Sequence, residues 1–323
     1  MDRFALVVGE ALVDLIEDTD ADGSSLFRPR LGGSPLNVAV GLRRLGAPVE
    51  FVGAFGADAF GHRLREFLRG EGIGVDLSMD AGMGTCLSVA TTQDGFVNYE
   101  YFGDAASMIQ ITPVDPAVVA GAAVIHAGST VFNADPAYST VIAAYAQDGP
   151  FRTLDPNPRP FLIPDLDEYR VRLEIATSMV DLIKLSGEDV SYLYPGIPAE
   201  DAARRIRGVG TATVIMTRAD ADTLLLHGDA VQHIPVPLVT LVDPTGAGDS
   251  FMASLLSDIV ANGAPTSVHG WAGMVVRANT AAGMTCGSVG GAESMPRRAD
   301  LDVRLAQLGS TDTSLAQSSS PSL

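Results

Sequence analysis

Val242-Asp243-Pro244-Thr245-Gly246-Ala247-Gly248-Asp249-Ser250-Phe251 follows an apolar run at 238–242 and leads into Met252, Leu255, Leu256 and Ile259, which recur at helical spacing. The run reads as a buried strand, so the stretch is a strand-to-helix turn. Glycines at 246 and 248 let the turn tighten until successive backbone N–H groups converge on one spot, at the positive end of the helix dipole. Such a spot holds an anion. Asp249 follows at the helix start, where the dipole favours negative charge, and a carboxylate beside an anion hole can accept a proton from a hydroxyl attacking a phosphoryl group. The same residues would equally make a plain helix start with Asp as the capping side chain. Local sequence leaves the two readings open.

Outward from this turn, short apolar runs at 4–8, 49–55, 122–127, 152–154, 180–185 and 212–217 are bounded by Gly, Asp or Pro and read as strands of a mostly parallel sheet. Helical patterns lie between several of them, as at Phe60, Leu64, Phe67 and Leu68, so the chain is predicted to be a layered α/β protein. In Arg30 to Gly46, Ser34 reads as a helix N-cap with Pro35 at the first helical position and Gly46 at the end. Gly32 and Gly33 would let a polyol approach the backbone, and Asn37, one turn in, could donate to and accept from adjacent hydroxyls. A Gly-Gly turn followed by an exposed Asn is the plainer alternative.

Residues 85–103 break the α/β rhythm, because two β-rich arms flank Gln93-Asp94-Gly95, a hairpin signal. Together with the acidic, non-helical residues 11–30 they suggest a small β lid outside the main sheet, built from about 11–30 and 85–105. Residues 1–308 then form one domain. The Ser- and Thr-rich segment 309–323 has too little apolar area to offset ordering entropy and is predicted to be a disordered polar tail.

Among 323 residues, 46% are hydrophobic, which fits a globular enzyme and excludes a fibrous or disordered chain. The net charge of −18 repels phosphate backbones and anionic membranes and argues against nucleic-acid or membrane partners. Lys184 is the single lysine of the chain, so no Gly-Lys-Ser/Thr phosphate loop exists and P-loop NTPases are excluded. By position, Lys184 is either a nucleotide-phosphate contact or a solvated charge after a strand. Cys86 and Cys286 lie far apart without ligand-spaced histidines, so neither a disulfide framework nor a zinc site is suggested. The five histidines show no i, i+4 or carboxylate-paired spacing that would mark a metal site or triad. The apolar run at 4–8 is too short for a signal peptide or membrane span, and the expected location is cytoplasmic.

The glycine turn at 246–248 and the Gly32-Gly33 segment, in this order and separation, resemble the two signature motifs of the ribokinase-type (PfkB) family of carbohydrate kinases. The resemblance spans nearly all of 4–300. It includes Gly9-Glu10-Ala11-Leu12-Val13-Asp14, Asp155-Pro156-Asn157-Pro158-Arg159-Pro160, and Lys184-Leu185-Ser186-Gly187-Glu188-Asp189. It implies a ribokinase-like α/β fold with ATP and Mg²⁺ as cofactors. Asp249 matches the catalytic base, and the backbone of Gly246, Ala247 and Gly248 matches the anion hole for the transferring phosphoryl group. Asp14, Gly32, Gly33 and Asn37 match sugar-hydroxyl contacts, and Arg159 matches a position lining the cleft in fructokinase-like members. Asp243 and Thr245 match positions that bind a monovalent cation such as K⁺, and Asn279 matches a residue flanking the adenine. The hairpin matches the family's β-clasp, which implies a homodimer through the lid.

Two departures stand out. Where members commonly carry Asn-x-x-Glu near the hydrated Mg²⁺, this chain has Ser186 and Asp189, with Glu188 as an alternative carboxylate. Where they carry Thr-x-Gly-x-x-Gly along the nucleotide phosphates, it has Thr217-Arg218-Ala219-Asp220-Ala221-Asp222. Either Arg218 compensates the added charge, or nucleotide affinity falls, or the donor differs. The resemblance thus implies a kinase acting on a primary hydroxyl of a sugar. Fructose is favoured, and ribose, 2-keto-3-deoxygluconate or a nucleoside are the alternatives. A sugar-binding regulatory protein with weak or lost kinase activity is the rival from another class.

Overall fold

Aliphatic runs without polar alternation can form only strands that are covered on both faces, and the chain meets that demand with a sheet between two helical layers. The computed structural model describes residues 3–20, 22–93 and 96–318. The strands are β1 (Ala5–Val8), β2 (Leu12–Thr19), β3 (Ser25–Gly32), β4 (Val49–Val52), β5 (Ala54–Phe55), β6 (Met79–Asp80), β7 (Leu87–Gln93), β8 (Phe96–Phe102), β9 (Val124–Gly128), β10 (Phe151–Asp155), β11 (Leu182–Ser186), β12 (Thr213–Thr217), β13 (Thr223–His227) and β14 (Ala230–Ile234). The helices are α1 (Ser34–Arg44), α2 (Ala59–Gly70), α3 (Pro116–Gly121), α4 (Ala137–Tyr145), α5 (Leu166–Ser178), α6 (Gly187–Leu193), α7 (Ala199–Val209), α8 (Ala247–Asn262), α9 (Val268–Thr285) and α10 (Arg298–Ser318).

The main sheet runs β14-β13-β12-β11-β10-β9-β1-β4. It is parallel from β4 to β12, and β13 and β14 add an antiparallel edge. Successive side chains serve opposite layers. Ala5 and Val7 pack with Leu36, Phe251, Leu255 and Trp271 of α1, α8 and α9, while Leu6 and Val8 pack with Val141, Leu173 and Ile206 of α4, α5 and α7. The helical readings hold, since Leu64, Leu68, Met252, Leu255, Leu256 and Ile259 are fully buried. No helix among the described residues is long and apolar enough to cross a membrane.

A second sheet, β3-β2-β7-β8, stands apart from the first. Its strands come from the two segments expected to form a lid, and β7 and β8 pair antiparallel as far as Gln93 and Phe96; Asp94 and Gly95, on which the hairpin signal falls, lie outside the described residues.

The run at 238–242 is not a strand. Leu238 is 95% exposed, and at the end of the run Val242 N and Asp243 N donate to the Cys286 carbonyl at 2.8 and 3.2 Å, so the segment is tied to the C-terminal end of α9 and does not join β14. The edge hairpin β13-β14 takes that place; its Gly228-Asp229 connection, with Gly228 at φ 58°, was a readable turn signal. The run at 49–55 is split at Gly53 into β4, in the main sheet, and β5, which pairs with β6. At the C-terminus the helical backbone of α10 continues to Ser318, past position 309 where the sequence sets the start of a tail, and residues 319–323 lie outside the described residues.

Candidate active site

Open parallel sheets meet ligands beyond the carboxyl ends of their strands. Here Glu10 follows β1, Thr130 follows β9, Asp155 closes β10, Ser186 closes β11 and Thr217 closes β12. Asp249, in the first turn of α8, is 6% exposed and faces this rim. Gly246, left-handed at φ 81°, is what lets the preceding turn form. A Cβ there would lie 3.0 Å from the Cα of Gly291. Ser34 Oγ donates to Asp249 Oδ1 at 2.6 Å, and Asn37 Nδ2 donates to Oδ2 at 2.8 Å. Ser34 is therefore not the N-cap that the sequence suggests. Gly33 occupies the cap without a side-chain bond, and Ser34, at the first helical position, spends its hydroxyl on a partner 215 residues away. Asn37 is likewise buried, not the exposed residue of the plainer alternative. Gly291, which no local signal marks, backs this contact, because a Cβ on it would come within 2.8 Å of Asn37 Nδ2.

At one end of the rim Asp14, on β2 of the second sheet, faces the same space. Burial pushes its carboxyl up to about 6, against the opposing pull of Ser88 and Arg159. A Cβ at Gly32 would sit 2.5 Å from Asp14 Oδ2, and one at Gly33, left-handed at φ 108°, would sit 2.7 Å from the Glu10 carbonyl oxygen. The paired glycines thus bring the backbone down onto two acidic residues. Glu10 accepts from Thr130 Oγ1 at 2.9 Å, and burial raises its pKa despite Arg159. Arg159 donates to the Asn157 carbonyl at 3.3 Å and to its side-chain oxygen. Asp14, Gly32, Gly33, Asn37, Arg159 and Asp249 are thus gathered around one cleft.

At the other end, Lys184 is no solvated charge. It is buried, pairs with Asp155 Oδ2 at 2.8 Å, and borders the glycine turn so closely that a Cβ on Gly248 would lie 2.9 Å from Nζ. Burial alone would lower its pKa, but the carboxylates of Asp155, Asp189 and Asp249 outweigh burial and keep it charged. Ser186 and Thr217 are register partners at the ends of β11 and β12. Ser186 and Asp189 form a reciprocal capping box at the start of α6, with Asp189 N to Ser186 Oγ at 3.0 Å and Ser186 N to Asp189 Oδ2 at 2.6 Å. Thr217 Oγ1 donates to the Leu185 carbonyl at 3.4 Å.

In the turn that departs from the family pattern, Arg218 is ion-paired with Asp222 and also donates to its carbonyl at 2.9 Å, so the added carboxylate carries its own counter-charge. Ala219 keeps the left-handed backbone at φ 51° that a glycine would adopt without strain. Asn279 is not presented to the cleft. Its Oδ1 accepts from Thr223 at 2.8 Å and its Nδ2 donates to the Pro235 carbonyl at 3.3 Å, tying α9 to the edge hairpin. The space beside it is a cleft of about 380 Å³ lined by Leu238, Val239, Val242, Thr280, Gly283 and Met284. Asp243 is a loop staple, accepting from Thr245 N and Gly290 N, both at 2.9 Å. Burial would raise its pKa, but these bonds lower it on balance.

Two histidines do pair with carboxylates, contrary to the sequence reading. His62 faces Glu66 at 3.1 Å one turn along α2, and His233 lies between Asp222 and Glu200, all of them on the surface. No group of three or more His, Cys, Asp or Glu among the described residues is placed to hold a metal alone. A divalent ion would fit here only with phosphate oxygens and water supplying most ligands, as is usual for Mg²⁺, and the unpartnered buried Oδ1 of Asp155 is one acceptor open to that shell.

Residues 2–298 match the model of the pfkB family of carbohydrate kinases. The chain is 31% identical to a fructokinase of Klebsiella pneumoniae over 301 residues, covering 91% of this chain and 97% of that one. Its fold superposes with a TM-score of 0.87 on the ATP-bound fructokinase of Xylella fastidiosa, at 23% identity, covering 96% and 100% of the two chains. The score is 0.82 for the fructokinase of Vibrio cholerae holding fructose, ADP and a calcium ion, at 22% identity, covering 94% and 99%. A family match over residues 2–298, together with 31% identity to a fructokinase along nearly the whole chain, leads to one conclusion: the chain belongs to the pfkB family of carbohydrate kinases and is a sugar phosphotransferase.

Proposed function

We propose that the protein transfers the γ-phosphoryl group of ATP to a primary hydroxyl of fructose. The observation that carries the reading is Asp249, pinned at both oxygens beside the Gly246–Gly248 turn and the buried Lys184 ammonium. In this reading Asp249 accepts the hydroxyl proton while the turn's amides and Lys184 meet the charge on the phosphoryl oxygens. Asp14, Asn37 and the glycine pair receive the sugar hydroxyls, and the 380 Å³ cleft beside α9 takes the adenine. Mg²⁺ would be held mainly by the donor phosphates, with Asp155 or Asp189 reaching it directly or through water, and it would neutralise phosphate charge. A monovalent cation is assigned to the loop stapled by Asp243 and Thr245, and the lid sheet to a homodimer contact.

Fructose is preferred to a keto-deoxy acid because the guanidiniums bordering Asp14 already face carboxylates, Arg159 those of Glu10 and Asp249 and Arg30 that of Glu293. A substrate carboxylate would add to that negative charge. The fructokinase relatives support the same choice. A binding protein without activity is disfavoured by the intact base and turn.

The test is ADP release measured over fructose, ribose, 2-keto-3-deoxygluconate and a nucleoside, with Asp249→Asn alongside. Fructose should show the highest kcat/KM, and Asp249→Asn should lower kcat by about 10²-fold or more. A panel led by another sugar would overturn the substrate, and near-normal turnover of the variant would overturn the base.

A further inference from the structure

The base is held by a chain of hydrogen bonds whose direction is dictated at both ends. Arg159 has only donors, so it can bond the Asn157 side chain solely through Oδ1. That leaves Nδ2 of Asn157 facing Ser34, to which it donates at 3.0 Å. An ionised Asp249 has only acceptors, so the bond to Oδ1 at 2.6 Å must use the Ser34 proton. Each link therefore points from guanidinium to carboxylate, with no alternative that keeps all three bonds. Asn157 reaches this place through a left-handed backbone, φ 35°, between Pro156 and Pro158, a conformation that Asn tolerates better than most residues.

We infer that Ser34 and Asn157 are positioning residues for the phosphoryl-transfer step, through which Arg159 fixes the orientation of Asp249. The inference rests on the reading of Asp249 as the base. Ser34 and Asn37 together occupy one acceptor direction on each carboxylate oxygen, and the carboxylate plane cannot swing about Cβ–Cγ without breaking one of these bonds. The remaining lone pairs are then presented at a constant angle to the hydroxyl that must be deprotonated. Were the Asn157 amide reversed, its oxygen would accept the Ser34 proton and release Asp249, so the polarity of residue 157 matters as well as its size.

The experiment compares Ser34→Ala, Ser34→Thr, Asn157→Asp and the double variant Ser34→Ala with Asn157→Asp, using Asp249→Asn as reference. Asn157→Asp keeps the shape but turns the donor into an acceptor. Ser34→Ala and Asn157→Asp are each expected to lower kcat about tenfold while sugar and ATP KM stay within about twofold, and Ser34→Thr to retain most of the activity. The double variant should fall no further than about twofold below the weaker single, because both changes break one chain. If Asn157→Asp does not fold, the contrast between Ala and Thr at 34 decides. Unchanged kcat in the single variants beside an inactive Asp249→Asn would overturn the chain but leave the base standing. Losses that multiply in the double variant, or that fall on KM, would also overturn it. An active Asp249→Asn would instead remove the base reading on which the chain depends.

Discussion

Asp14 is the acidic residue of the sugar end most exposed to test by pH. Its carboxyl is pushed from the ordinary 3.8 up to about 6, chiefly by burial. Between those values the folded chain binds more protons than the unfolded one, so Asp14 makes folding less favourable as pH rises through that window. In the proposed role an ionised Asp14 would accept from a sugar hydroxyl, and the protonated form would be the weaker acceptor. Fructose KM should therefore rise as pH falls from 7.5 to 5.5, by about fourfold, the ratio of the ionised fractions for a group titrating near 6. Asp14→Asn should give a high KM that no longer varies over this range, together with a higher Tm than the parent at pH 7.5. Steady-state kinetics and thermal melts at the two pH values check both halves. A parental KM that is flat with pH would mean that Asp14 does not contact the substrate.

Among the elements, the crossing of α1 over α8 sets the geometry around Asp249, the proposed base, because α1 carries Ser34 and Asn37 while α8 carries Asp249. The helices approach closely at Gly41, where a Cβ would lie 2.6 Å from that of Ala253. Neither contact partner has atoms to spare, and the flanking Val40, Leu42, Met252 and Leu256 are fully buried. Gly41→Val should force the helices apart at a cost of about 1–3 kcal/mol, the range for overpacked cores. Lengthening Ser34–Asp249 and Asn37–Asp249 should also lower kcat beyond what the loss of folded protein explains. Urea unfolding and active-site-normalised kcat measure the two effects separately. A variant with parental stability would show that α1 can shift at no expense, and parental kcat would show that the shift does not reach the base. Farther along α1, Arg44 ties the helix to the segment behind Gly291 through bonds to the carbonyls of Ala292, Glu293 and Met295 at 2.9, 3.0 and 3.1 Å.

For the molecule as a whole, the second sheet raises the question of what covers it. Phe27 and Phe102, which the register places on the face opposite Asp14, remain 45% and 50% exposed. The homodimer proposed above would cover them. Light scattering at micromolar concentration should then give twice 33.6 kDa, and Phe27→Ser with Phe102→Ser should lower the measured mass. A single-chain mass for the parent would remove the dimer while leaving the sheet's place over the cleft intact.

Much of this was legible before any coordinates, because local physics is written locally. Uninterrupted apolar runs demanded a doubly covered sheet, Gln93-Asp94-Gly95 demanded a hairpin, and Gly246 with Gly248 demanded a tight turn with its amides converging. The strand expected at 238–242 failed for a reason local sequence does not hold: the run leads to the end of α9, where the Cys286 carbonyl accepts from Val242 N, and does not pair with β14. The same limit applied to the site. Ser34 looked like a helix cap because capping is the local use of a serine before proline, yet its hydroxyl went to a carboxylate 215 residues on. Lys184 could not be told from a solvated charge until Asp155 and the Gly248 turn closed around it. The sequence by itself determined the α/β layering, the family and the identity of the base-like carboxylate, since each depends on residues near in the chain. Which side chains hold that carboxylate, and which way their hydrogen bonds run, was decided only by tertiary structure, because burial removes water as an alternative partner and leaves each polar group to whichever neighbour the fold supplies.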